Sequence, residues 1–289
     1  MISGIIAESS SFTVYPLGEI TIQRPSYYIS YTPSTASGTM WIRSTSTADP
    51  VSYQLSSYSG MLDFGNSYPQ YLSFKSCNWR SIKTNIPMFN ESLAFARCST
   101  LQNADLYSCT SLSTNAFLYC SSLSQVSLPM CGYIGSCAFS DCRSLSKISL
   151  PVCSYIGQDA FFNCRSLSKI SLPMCSYIDL NAFNGCTSLI QISLPACSNI
   201  EYQAFAFCGL SQISLPMCGY IGAGAFRYCS SLNSITIGYS GVCSLGIEAF
   251  YNTQITSSTG RIYVPASLVS AYKSASNWSQ FSAIIQSIY

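Results

Sequence analysis

Leu145-Ser-Lys-Ile-Ser-Leu-Pro-Val-Cys-Ser-Tyr-Ile-Gly-Gln-Asp-Ala-Phe-Phe-Asn-Cys-Arg-Ser166 decides the fold, because its skeleton recurs along most of the chain. Copies start at Leu101, Leu123, Leu145, Leu167, Leu189, Leu210 and Leu232, the Leu210 copy coming one residue early, directly after Cys208-Gly209. Degenerate copies flank them: Leu72-x-Phe74-x-x-Cys77 with Ala94-Phe95-x-x-Cys98 before, and Ile262-x-Val264-Pro265 after. A fixed period of this length marks units that bury their apolar faces against one another, here in about eight coils. Within a unit, Ile148 and Leu150 alternate with Ser149, the period of a strand with one face buried. Ala160, Phe161 and Cys164 have the spacing of one helical turn pointing the same way. With strands about 4.8 Å apart, the stack predicts a rod or arc of roughly 40 Å.

Cysteine follows the same clock. Cys98 to Cys208 fall every eleven residues, and Cys218 and Cys229 continue the series after the single deletion. Stacking predicts one column of Cys131, Cys153, Cys175, Cys197 and Cys218, and another of Cys120, Cys142, Cys164, Cys186, Cys208 and Cys229. Neighbours in a column are close enough for disulfides, but their parallel Cβ vectors meet the required torsion poorly. With no Cys-x-x-Cys pair to suggest zinc, the expectation is reduced core thiols acting as small hydrophobes. Cys137 lies outside both columns.

The pattern Leu-x-x-Ile-x-Leu-x-x-Cys followed by Ile-Gly-x-x-Ala-Phe-x-x-Cys resembles the BspA-type (Treponema-like) leucine-rich repeat over about residues 68–265. The resemblance implies a leucine-rich-repeat solenoid of short parallel strands and helical or 3₁₀ turns. It also implies non-enzymatic recognition, since adhesion is the family's usual assignment on anaerobe surfaces and in their phages. The expected organisation is an N-terminal antiparallel β-domain over 1–66, a solenoid over 67–265 and a C-terminal helical cap over 266–289. Segments such as Phe12–Tyr15, Glu19–Ile22, Tyr27–Tyr31, Met40–Arg43, Val51–Leu55 and Met61–Phe64 read as the strands of the first part, an anchor or a cap for the first coil. After Pro265, Leu268, Tyr272 and Ala275 share one face, and Trp278, Phe281, Ile284, Ile285 and Ile288 add apolar surface to close the end.

Composition narrows the function. Of 289 residues only 8% are charged, against about a quarter in an average protein, and serine makes up roughly a fifth. A formal net charge of +2 without basic clusters argues against nucleic acid. Histidine is absent, which excludes triads with a histidine base and histidine-ligated metals. Asp141, Asp159 and Asp179 occupy non-equivalent repeat positions, as solvated acids would, and no phosphate loop or nucleophile elbow appears. The expectation is no enzyme, no catalytic residue, no metal and no cofactor. No apolar run is long enough to span a membrane, and Met1-Ile-Ser-Gly-Ile-Ile-Ala-Glu8 is unlike a secretory signal.

The remaining positions stack into surface columns. Gln125, Lys147, Lys169, Gln191 and Gln212 form one, and Ser127, Ser149, Ser171, Ser193 and Ser214 the next. Pro129, Pro151, Pro173, Pro195 and Pro216 end the strands, followed by Met130, Val152, Met174, Ala196 and Met217. Tyr133, Tyr155 and Tyr177, then Tyr220 after an interruption at Asn199, complete the set. The Gln/Lys, Ser and Tyr columns are the candidate binding surface for a protein or glycan. The competing reading is that a solvated strand face must carry something polar and that stacked rings stabilise coils. The expected carrier is a phage virion, as a fibre, decoration or tail protein exposing the solenoid for host attachment. There the N-terminal part would contact other virion proteins or further copies of this chain. The alternative is a bacterial cell-surface adhesin.

Overall fold

The computed structural model describes residues 94–257 and 259–288 throughout, and within 1–93 chiefly the backbone of short strands. The repeats coil into a parallel solenoid with three walls. The first wall holds the strands Asn103–Leu106, Gln125–Ser127, Lys147–Ser149, Lys169–Ser171, Gln191–Ser193, Gln212–Leu215, Ser234–Ile237 and Arg261–Val264. Their register aligns identical repeat positions: Gln125 lies opposite Lys147 and Ser127 opposite Ser149, while Lys169 lies opposite Gln191. Proline then ends the strand, and the chain bends into the second wall, a parallel sheet of two-residue strands from Ser111–Leu112 through Tyr155–Ile156 to Ser244–Leu245.

The third wall takes the 3₁₀-like turn form of the sequence expectation, closed by bonds such as Phe162 N–H to the Asp159 carbonyl. The Ala-Phe-x-x-Cys segment forms consecutive turns rather than a helix. Cys164 N–H bonds the Phe161 carbonyl within the coil, while Phe161 N–H reaches the Ala182 carbonyl of the next. Two positions per coil take the left-handed conformation: Asn115, Cys137, Asp159, Asn181 and Gln203 in one column, Asp141, Asn163, Gly185 and Phe207 in the next. Their N–H groups also point forward, as in Asp159 to Leu180 and Asn163 to Asn184. Every third-wall coil is thereby tied to its successor by backbone bonds. Cys137 belongs to this left-handed column, which explains why it stands outside both thiol columns.

Inside, one row of phenylalanines marks eight coils: Phe95, Phe117, Phe139, Phe161, Phe183, Phe205, Phe226 and Phe250 are buried and stacked. The early Leu210 is accommodated at Gly209, where a Cβ would stand 2.7 Å from the Thr187 carbonyl oxygen. The one-residue deletion therefore pulls the backbone close without breaking the stack.

The C-terminal end combines a short helix, Val269–Ser274, with a final strand, Ile285–Ser287, that pairs in parallel with Arg261–Val264. Tyr272 and Trp278 are fully buried, and Trp278 donates from Nε1 to the Cys243 carbonyl at 2.6 Å. The closing strand was not legible in the sequence, where Ile285 reads only as apolar surface. Ile288 lies exposed at the rim.

Toward the N-terminus, strands Ile2–Ser3, Tyr28–Tyr31, Ile20–Gln23 and Phe12–Val14 form an antiparallel sheet. Thr39–Trp41 and Met61–Asp63 run parallel to Ser81–Thr84, in line with the first wall. Beyond these pairings, the 1–66 domain and its boundary lie outside the described residues.

Candidate recognition surface

On the first wall, Gln125, Lys147, Lys169, Gln191 and Gln212 are all exposed. Alternation places Val126 and Ile148 inward and their neighbours outward. A shallow groove of about 840 Å³ runs along this face, lined by Gln125, Ser127, Lys147, Ser149 and Lys169 together with Asn103 and Asp105. A second groove, about 550 Å³, continues it through Lys169, Gln191 and Gln212. Lys169 joins the two. Neither Lys147 nor Lys169 has an ion-pair partner among the described residues. Ser171 and Ser193 are exposed on the same wall but line neither groove.

Several serines elsewhere on the coils are spent on the fold. Ser154, Ser176 and Ser198 hydroxyls donate to the carbonyls of Gly132, Ser154 and Ser176, each one coil back, and Ser124 and Ser146 do the same. By contrast, the hydroxyls of Ser127, Ser149, Ser171 and Ser193 make no hydrogen bond among the described residues. The fold makes no use of these outward hydroxyls.

Tyrosines occupy a different wall. Tyr133, Tyr155, Tyr177 and Tyr220 belong to the second sheet, so they do not border the Gln/Lys column. Tyr133 stacks on Tyr155 at 5.0 Å, and Tyr155 on Tyr177 at 5.4 Å. Tyr155 donates to Asp179 Oδ2 at 2.6 Å, and Tyr177 to Glu201 Oε1 at 2.8 Å. Burial, reinforced by the Glu201 carboxylate, pushes the Tyr177 phenol up to about 12. Asn199 breaks the row, leaving Tyr220 apart from the stack. These hydroxyls and rings hold coils together, which gives the column a structural task.

The acids behave differently from the sequence expectation as well. Asp141 is buried and accepts both Nε and Nη2 of Arg143 on Oδ1, at 3.0 and 2.9 Å. Asp179 is the acceptor for Tyr155. Neither is a freely solvated surface acid. Among the described residues no cluster of three metal-ligating side chains occurs, and no helix is long and apolar enough to cross a membrane.

Thiols have a hydrogen-bonding role that sequence reasoning missed. Cys142, Cys164, Cys186 and Cys208 donate to the carbonyls of Phe117, Phe139, Phe161 and Phe183 in the preceding coil, at 3.1 to 3.2 Å. Cys131, Cys153 and Cys175 donate to the carbonyl two residues on, that of the second-wall tyrosine. Burial pushes the Cys175 thiol up to about 11 and those of Cys153 and Cys229 to about 12, so they remain protonated donors at neutral pH. No disulfide joins any two of the fifteen described cysteines.

Among curated proteins, none matches the chain. A leucine-rich cell surface protein of Faecalibacterium prausnitzii is similar in structure, with a TM-score of 0.47 and 21% identity over 79% of this chain. The chain spans 55% of that protein's length. A leucine-rich repeat protein of Bacteroides ovatus is similar at TM-score 0.39 and 18% identity, covering 90% of this chain and 75% of that one. The pneumococcal vaccine antigen PcpA is similar at 0.33 and 14%, covering 99% of this chain and all of its own. The family described as "BspA type Leucine rich repeat region" matches residues 69–165, 110–217 and 154–279 in six copies. With its register, phenylalanine row and repeats all accounted for, the chain belongs to the BspA-type leucine-rich repeat family.

Proposed function

We propose that this solenoid is a non-enzymatic recognition protein whose first wall contacts a protein or glycan borne on a surface. One observation carries the reading: the outward Gln, Lys and Ser side chains form exposed polar columns with no bond to the coil, while the Ser154 and Tyr155 columns are bonded from coil to coil. A repeat needs only polarity at these positions. It does not need two adjacent lysines, Lys147 and Lys169, whose like charges repel on neighbouring rungs. Such a face is able to hold an elongated ligand across several coils at once.

The free thiols support a chain folded in a reducing compartment, where cysteine stays unpaired. That favours a virion protein assembled in a host cytoplasm over a secreted adhesin. Quantitative mass spectrometry of purified virions and of bacterial envelope fractions separates the two, and recovery only from an envelope removes the virion reading. Binding to intact target cells tests the surface itself. Lys147→Ala with Lys169→Ala is expected to weaken binding by about tenfold or more, a loss of about 1.4 kcal/mol. Tyr155→Ala is expected to lower stability rather than affinity. Full binding by the lysine double variant would sink the first-wall assignment.

A further inference from the structure

Charge is scarce in this chain, yet stacking gathers it. Of 13 lysines and arginines, four fall within residues 143–169: Arg143, Lys147, Arg165 and Lys169. All four are exposed. Within a coil they stand four residues apart, a span of at most about 14 Å, and adjacent rungs lie about 4.8 Å apart. Ser166, next to Arg165, donates its hydroxyl to the Arg143 carbonyl at 2.7 Å, and Lys147 and Lys169 line one groove. The four therefore share one patch at the edge of the first wall. Equivalent positions in the flanking coils, Ser121 and Gln125 before, Thr187 and Gln191 after, are uncharged.

The two arginines differ in what they do for the fold. Arg143 is spent on Asp141, which accepts both of its bonds. One coil on, Asn163 takes the place of Asp141, and the Arg165 guanidinium has no ion-pair partner among the described residues. Lys147, Lys169 and Arg165 are thus three uncompensated like charges on two adjacent coils, which the stack itself does not require. Asp105 is the acid in the groove lining among the described residues, and it lies two rungs before Lys147. Attraction for an anion is confined to the Lys147 and Lys169 coils.

The lining narrows the ligand. Three charges are few for nucleic acid, since a duplex binder makes about 6–10 phosphate contacts. An extended peptide presents side chains on one face about 6.8 Å apart, out of step with rungs about 4.8 Å apart. A glycan advances by about one rung per sugar. Beside the charges, Gln125, Ser127, Ser149 and Gln191 offer donors and acceptors for sugar hydroxyls. No aromatic side chain lines either groove among the described residues, so a neutral sugar finds no ring to stack on and charge must supply the hold. We propose that the first wall takes an acidic polysaccharide laid along the solenoid axis. Carboxylate or sulfate groups on consecutive sugars pair with Lys147, Lys169 and Arg165. The proposal rests on the first-wall reading and adds to it Arg165 and the charge of the ligand.

Isothermal titration of the full chain with polygalacturonate, which carries carboxylates, and with dextran sulfate tests this against neutral dextran and poly-glutamate. At least one acidic polysaccharide is expected to bind, more weakly as salt is raised, with dextran and poly-glutamate weaker by about tenfold or more. Arg165→Gln is expected to lower that affinity by about fivefold with an unchanged melting temperature. Lys273→Gln, on the C-terminal helix, removes the same charge and is expected to leave it unchanged. Three results would overturn the proposal: no binding of either acidic polysaccharide, poly-glutamate bound as tightly as the better of them, or Lys273→Gln costing as much as Arg165→Gln. Cell binding that still needs Lys147 and Lys169 while neither polysaccharide binds would overturn it and leave the first-wall reading standing.

Discussion

Replacing Phe161 with alanine removes a ring from the middle of the internal row. Phe161 is fully buried, 5.2 Å from Phe139 and 5.0 Å from Phe183, with interplanar angles of 13° and 4°. Truncating a buried phenylalanine costs about 3–5 kcal/mol, and two ring pairs contribute about 0.5–1.5 kcal/mol each beyond area. Ring stacking is partly included in the cost of truncation, so the expected loss is about 4–6 kcal/mol. That is a large share of the roughly 5–15 kcal/mol typical of a folded domain. In a stack that holds together through nearest neighbours, the lesion also uncouples the coils on either side. Urea unfolding followed by circular dichroism, with Trp278 fluorescence in a Trp41→Phe, Trp79→Phe background reporting the C-terminal end, should show a lower midpoint and two separated transitions. Phe161→Leu, which keeps most of the volume, should cost less than about 1.5 kcal/mol and remain a single transition. A loss below about 2 kcal/mol for Phe161→Ala, or unchanged amide exchange at Phe139 and Phe183, would refute the coupling argument.

Trp278→Ala opens the C-terminal end by removing a buried ring and its bond to the Cys243 carbonyl. A loss of about 3–5 kcal/mol and concentration-dependent association in light scattering are expected, and an unaffected monomer would contradict the capping role. Alkaline pH should weaken the fold: unfolded thiols ionise near 9, whereas Cys175 waits until about 11. The raised value means full stability below pH 9 and progressive loss as pH climbs toward 11, measured as a falling urea midpoint; a flat profile there would count against protonated core thiols. Brief alkylation of the native chain should mark Cys137 first among the described cysteines, since it alone among them is not fully buried, and peptide mass spectrometry reads the order.

What the sequence made legible was whatever repetition copies. The Leu145 and Leu167 skeletons, the two thiol columns and the outward Gln/Lys and Ser rows follow from a single period, and the register reproduces them. What escaped was set by handedness and by bonds between coils. Asn115, Asp159, Asn163 and Asn181 sit at left-handed positions, and their enrichment in asparagine and aspartate was the signal for left-handed turn positions. The wall on which Tyr155 lies depends on the Pro151 corner, which periodicity alone does not orient. Asp141 was read as solvated because one sequence cannot show that Arg143 folds back onto it.

Excising one whole coil tests whether the repeats stack in phase. Tyr155 and Tyr177 are aligned rung to rung at a spacing that hydrogen bonds between coils repeat at 22 residues. Deletion of residues 167–188 should therefore join Ser166 to Leu189 in phase. The shortened chain is expected to fold cooperatively, keep its circular dichroism per residue, and lose about 4.8 Å of length by small-angle scattering. Deletion of residues 167–177, half a turn, is expected to abolish folding. A chain that unfolds on losing the full coil, or that tolerates loss of the half coil equally well, would contradict the stacked-coil account.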